Sequence, residues 1–176
     1  FCGTIQRFQT LYPSLKIYAF EANPDTFSRL EVSVKGKNID AFNYAISNSS
    51  TTLEFLQGAV SHVFAEKSHA NRYHYKSQET LKIPAKRLDE FELEGDEIIL
   101  KIDVEGHEFE VLEGAKTLFE QKRIKAVYMD GYSNKHIYPF LENYEFKFFD
   151  GRTLDPVQSD AFSLLALAPN SPDSGT

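Results

Sequence analysis

A chain of 176 residues suits one domain with room for a core. Its formal net charge of -7 argues against a general nucleic-acid binder, which carries a basic face, and no apolar run reaches the roughly 18 residues of a membrane helix. The one cysteine, Cys2, rules out an internal disulfide and points to a reducing, cytoplasmic setting, and with neither a CxxC nor an HExxH pattern no metal is assigned.

Apolar spacing predicts a helix over residues 4–12, with Ile5, Phe8 and Leu11 or Tyr12 on one face and Pro13 as its stop. A strand over 15–21 ends in Glu21, and Pro24 opens a helix over 25–35 that Gly36 closes. Residues 39–46 alternate as one strand and 51–56 as another, around the turn cluster Ser47-Asn48-Ser49-Ser50. Residues 59–80 have little periodicity and read as a mobile loop. Its His62, His69 and His74 fit no helical metal face and read as solvated or lid residues. A short strand over 81–84 precedes a strand over 98–104 and a helix over 109–121. A strand over 126–130 ends in Asp130, a helix spans 134–142, and strands over 146–149 and 162–167 form a terminal antiparallel pair. Residues 170–176 are a polar tail, expected to be disordered. No repeat is apparent, so residues 1–169 form one domain. Alternating strands and helices imply a mostly parallel sheet with helices on both faces.

Two stretches carry the chemistry. In the run from Ile98 to Ala115, an apolar strand ends in Asp103 and Glu105 before Gly106 breaks the pattern. In the run from Leu15 to Pro24, a strand ends in Glu21. Acids at the carboxyl ends of parallel strands point into the crevice where α/β proteins bind ligands, and an acid there can take ribose hydroxyls. Two such units suggest a nucleoside-containing cofactor lying across the sheet edge. Carboxylates at Asp103 and Glu105 also suit magnesium or calcium, but no matching ligand set accompanies them. Glu105 or Glu108 could equally cap the helix after Gly106.

The phrases YAFEANP (residues 18–24) and LKIDVEGHEFEVLEGA (residues 100–115) resemble the FkbM family of S-adenosylmethionine-dependent methyltransferases. The resemblance runs from about Gly3 to Ala168. It implies a class I methyltransferase (Rossmann-like) fold with a reversed last strand. The family's first strand carries a glycine-rich loop, D-x-G-A-N-x-G, and Gly3 matches its last glycine. That strand and most of its loop are therefore expected upstream of Phe1, in line with an opening residue other than methionine; the one methionine is Met129. Without the strand, two hydrophobic edges would stand unpaired.

The resemblance implies a cofactor site at Gly3, Glu21, Asn23, Ala45, Ile46, Asp103 and Glu105. Glu21 would take the ribose hydroxyls. Asn23 either lines the adenosine pocket or initiates the turn before Pro24. Ala45, Ile46 and Ser47 either contact adenine or pack at a strand end. Asp103, His107, Asp130 and His136 are the candidate catalytic residues, with Tyr132 following Asp130. An imidazole titrates near neutrality and suits a base, although His107 reads equally well as a partly exposed residue at a helix start. Cys2 reads as a small apolar residue beside the cofactor loop. Tyr73 and Tyr75 would contribute to an acceptor pocket. The expected function is O-methylation of a hydroxyl on a sugar or natural-product small molecule, without nucleic-acid or membrane partners. Two rivals remain: a non-catalytic methyltransferase-fold binding or scaffold module, and a nucleotide-binding oxidoreductase fragment.

Overall fold

The computed structural model describes residues 2–56, 62–63, 80–104, 106–131, 134–157 and 161–169. Most of the 59–80 loop, with His69, Tyr73, His74 and Tyr75, lies outside the described residues, as do Glu105, Tyr132 and the 170–176 tail.

Helix α1 (Cys2–Leu11) leads to strand β1 (Ile17–Phe20), helix α2 (Pro24–Val34) and strand β2 (Ile39–Phe42). Strands β3 (Ala45–Ile46), β4 (Thr51–Leu56), β5 (His62–Val63) and β6 (Thr80–Lys86) follow, then a 3₁₀ turn over Leu88–Glu90. The carboxyl half contains β7 (Ile98–Ile102), α3 (Glu108–Gly114), α4 (Lys116–Glu120), β8 (Ile124–Asp130), α5 (Asn134–Glu142), β9 (Lys147–Asp150) and β10 (Ser163–Leu167).

The described strands form three mixed or separate sheets instead of one mostly parallel sheet. Strands β1 and β2 pair in parallel. Strands β7 and β8 pair in parallel, with β10 antiparallel between β8 and β9. Strand β3 pairs in parallel with β6, which pairs antiparallel with β4, and β4 pairs antiparallel with β5. The terminal antiparallel pair is present, and its last strand is the reversed one.

The expected strand over 39–46 splits, for a local reason. The Asn43 side-chain amide donates to the carbonyls of Glu21 (2.8 Å) and Ala22 (3.2 Å). A side chain thus satisfies the backbone just beyond β1, and the main chain is free to leave β2 and join β6 as β3. The expected helix over 109–121 also breaks, at Ala115. Asp89 caps the second half by accepting the backbone N–H groups of Thr117 (3.1 Å) and Leu118 (3.4 Å). Gly114 closes the first half against β3, where an added Cβ would lie 2.1 Å from the Ser47 carbonyl oxygen.

The main core lies between one face of the β7–β8–β10 sheet and helices α3, α4 and α5. Ile102, Val127, Met129 and Leu164 meet Leu112, Leu118, Phe119, Ile137 and Leu141 there. Burying a side chain of this size contributes about 1.5–3 kcal/mol. On the opposite face, Ile99 of β7 is 69% exposed, so no helix covers that position among the described residues. A smaller cluster of Ala19, Leu30, Val34 and Ile39 joins α2 to β1 and β2. Helix α1 contributes Ile5 to it, while Phe8, Leu11 and Tyr12 remain exposed.

Candidate functional site

Strand alternation sorts the side chains at the carboxyl ends of β7 and β8. Ile102 and Met129 are register partners, as are Met129 and Leu164, and all three point into the helix-covered core. Their neighbours Asp103, Asp130 and Ser163 therefore point to the opposite face, the two acids half-buried and Ser163 fully buried, with Lys101 and Tyr128 two positions earlier. Asp103 pairs with Lys101 (Nζ to Oδ2, 2.9 Å). Asp130 Oδ1 accepts hydrogen bonds from the Tyr128 hydroxyl (3.1 Å) and the Ser163 hydroxyl (2.5 Å). Ser163 Oγ in turn accepts from Arg152 Nε at 3.1 Å. The guanidinium carbon of Arg152 sits 4.7 Å from the centroid of the exposed Phe162 ring. Asp103 and Asp130 thus share one surface, and Asp130 heads a chain of polar groups across β8, β10 and the turn after β9.

Glu21 ends β1 at the equivalent, carboxyl end of its strand. Its Oε1 accepts the Asn23 N–H (2.8 Å). Burial raises the Glu21 pKa above the usual carboxylate range, and the hydrogen bond from Asn23 partly offsets this. Asn23 is the N-cap of α2: its Oδ1 accepts from Asp25 N (2.9 Å) and Thr26 N (3.2 Å). These bonds give Asn23 a turn-initiating role.

His107 is not partly exposed; it is 4% exposed. Its Nε2 lies 2.9 Å from Ser47 Oγ, a hydrogen bond that ties the loop after β7 to the end of β3. Its Nδ1 faces Glu110 Oε2 at 3.5 Å, close enough for electrostatic attraction, but it makes no hydrogen bond among the described residues. Burial lowers the His107 pKa, and Glu110 opposes the shift. Glu108 takes the capping role: its Oε1 accepts the Gly106 N–H at 2.9 Å. His136 is on the exposed side of α5 with its ring 5.2 Å from that of Phe109. Neither histidine hydrogen-bonds to Asp103 or Asp130 among the described residues. Ala45 and Ile46 form β3 itself and are buried. Gly3 belongs to the first turn of α1.

Two surface cavities lie away from these acids. One, of 510 Å³, is lined by Arg87, Glu113, Lys116 and Tyr144 on the helical side. The other, of 450 Å³, lies at the amino-terminal ends of β1 and β7, beside Lys16 and Glu94. Among the described residues, no group of three or more His, Cys, Asp or Glu side chains is placed to hold a metal ion, and no helix is long and apolar enough to cross a membrane.

Tyr128, Ser163, Arg152 and Phe162 were not among the residues singled out by sequence. Tyr128 was reachable, since strand alternation puts it on the face of Asp130. Ser163 and Arg152 depend on the register of β10 against β8 and β9, which no sequence signal fixes.

The chain is a mixed α/β protein with carboxylates at the carboxyl ends of its parallel strands. The model of the FkbM methyltransferase domain matches residues 4–148. The chain belongs to this methyltransferase family. It is 36% identical over 105 residues to the hexuronic acid methyltransferase AglP of Haloferax volcanii; the match spans 56% of this chain and 40% of that protein. No solved structure matches the chain.

Proposed function

We propose that the protein transfers a methyl group from S-adenosylmethionine to an oxygen of a small sugar-class acceptor. The observation that carries this reading is the set of strand-end acids on a chain of the FkbM family. The Glu21 carboxylate has the acceptor chemistry for a pair of ribose hydroxyls, which would donate to it. The adenine falls to the segment at Ala45 and Ile46, and Gly3, Asp103 and Glu105 complete the cofactor side. When bound, S-adenosylmethionine supplies a sulfonium-activated methyl, whose carbon–sulfur bond breaks with its electron pair returning to sulfur.

The protein's part is to position the acceptor, exclude water and accept a proton. Asp130 is the proposed base. The Tyr128 and Ser163 hydroxyls fix its Oδ1, leaving Oδ2 to take the acceptor's hydroxyl proton as the new carbon–oxygen bond forms. Asp103, on the adjacent strand, would orient the acceptor. His107 is too buried to meet an acceptor at this surface and acts through packing. The sugar class is supported by the name of the relative, a hexuronic acid methyltransferase.

Calorimetric titration with S-adenosylhomocysteine tests the cofactor half. Micromolar binding is expected, weakened about tenfold or more in Glu21→Ala by loss of hydrogen bonds to a charged group. A folded chain that does not bind would favour the non-catalytic module. For the acceptor half, Asp130→Asn should cut methyl transfer by about 10²–10⁴ with cofactor binding retained. A base-stable product is an ether formed at a hydroxyl, whereas a product cleaved by mild alkali is an ester formed at a carboxylate.

A further inference from the structure

We propose that Arg152 is an acceptor-recognition residue and that the acceptor it selects is a sugar bearing a carboxylate. This assignment rests on the methyl-transfer reading above and names the substrate class for the same surface. Arg152 lies in the turn after β9, and that turn is seated directly on the sheet. The Gly151 N–H donates to the Ser163 carbonyl at 2.8 Å, and a Cβ at Gly151 would fall 2.6 Å from Tyr128 Cε2. Asp150 Oδ1 accepts the N–H groups of Arg152 (2.8 Å) and Thr153 (2.9 Å), which fixes the backbone there.

The side chain is held as firmly. Its Nε donates to Ser163 Oγ, and the guanidinium lies over Phe162. One edge and one face are thereby engaged, while neither Nη group makes a hydrogen bond among the described residues. A planar guanidinium oriented in this way, with both Nη groups available, is preorganised for two parallel bonds to a carboxylate. Asp130 and Asp150 direct their hydrogen bonds through Oδ1 to hydroxyl and backbone groups, and Asp150 meets the Arg152 charge electrostatically without a hydrogen bond to the guanidinium. In a chain of net charge -7, a fixed cation of this kind is needed before an anionic ligand can be held.

Ser163 Oγ gives the link to the reaction. It donates to Asp130 Oδ1 and accepts from Arg152 Nε, so a single hydroxyl separates the anion-binding group from the proposed base. A sugar whose carboxylate rests on Arg152 would present ring hydroxyls towards Asp130. Phe162, 62% exposed, offers its uncovered ring surface to the sugar's C–H groups.

The test is a titration of the ¹⁵N-labelled protein with methyl β-D-glucuronide and, separately, methyl β-D-glucoside, each with and without S-adenosylhomocysteine. The glucuronide should bind about ten- to a hundredfold more tightly than the glucoside, the scale of a charge-assisted pair, and should shift the amides of Arg152 and Ser163. Arg152→Met should bring the glucuronide down to the affinity of the glucoside, and Arg152→Lys should restore part of the difference. Arg152 is exposed, and thermal melts of both variants check that the fold survives. Equal affinities for the two sugars, no binding of the glucuronide, or a preference that survives Arg152→Met would each overturn the assignment. Binding of S-adenosylhomocysteine is read separately. Its loss in the wild type would sink the methyl-transfer reading, and its retention without a sugar preference would sink only the role of Arg152.

Discussion

At the scale of single residues, the burial of His107 gives the protein a specific acid sensitivity. The folded imidazole has a lowered pKa because burial penalises its charged form. The unfolded chain therefore takes up the proton first, and acid favours unfolding. The contribution is fully present above the ordinary imidazole value of 6.5 and is lost as pH falls from there towards the lowered folded value. Thermal midpoints of the wild type should fall as pH is taken from neutral to about 5. In His107→Gln they should fall less steeply, since every other titrating group is shared. Parallel curves would show that the imidazole is not responsible. A second residue separates capping from ligand binding: Asn23→Ala should cost about 1 kcal/mol in urea denaturation, and Asn23→Asp should recover most of it because the carboxylate can serve the same cap. If both variants are as stable as the wild type, the cap at α2 contributes nothing measurable.

At the scale of elements, the junction between α3 and α4 shows how a long-range contact overrides a local pattern. Gly114 is the one local sign of a break at Ala115 within 109–121. The break follows from Asp89, which reaches from the preceding 3₁₀ turn to cap α4, and from Gly114, pressed against the Ser47 carbonyl. Gly114→Ala should destabilise the protein by about 1–3 kcal/mol, as expected when a packed interface must open for a new methyl group. Unchanged stability in equilibrium unfolding would mean that α3 moves freely off β3. Strand β4 and helix α5, in contrast, occupy the expected spans, 51–56 and 134–142, and β4 pairs with β6 along its whole length. Glu21 and Asp103 were legible as strand-end acids, since an apolar run that stops at a carboxylate is a local signal. The partnership of Ser47 with His107 was not, because 60 residues separate them and the turn cluster around Ser47 gives no hint of burial.

At the scale of the whole molecule, the two faces of the β7–β8–β10 sheet have different tasks. One face is closed by α3, α4 and α5 and holds the main core, with Leu164 fully buried. The other carries Ile99, Lys101, Asp103, Asp130 and the Arg152 turn, where polar groups are available to a ligand. A parallel sheet with both faces covered would read as continuous apolar strands. Strand β7 instead alternates in exposure, which fits a sheet with one open face among the described residues. This asymmetry predicts that stability and ligand binding depend on opposite sides of the same strands. Leu164→Ala, which empties a packed position, should cost about 2–5 kcal/mol. Ile99→Ser, on the open face, should change stability by no more than about 0.5 kcal/mol. Urea denaturation of the two variants measures both. A large loss in Ile99→Ser would mean that the open face is packed in solution, and the acids beside it would then no longer be available to an acceptor. A small loss, together with the large one at Leu164, would locate the fold's stability on the helical face and leave the acidic face free for ligand recognition.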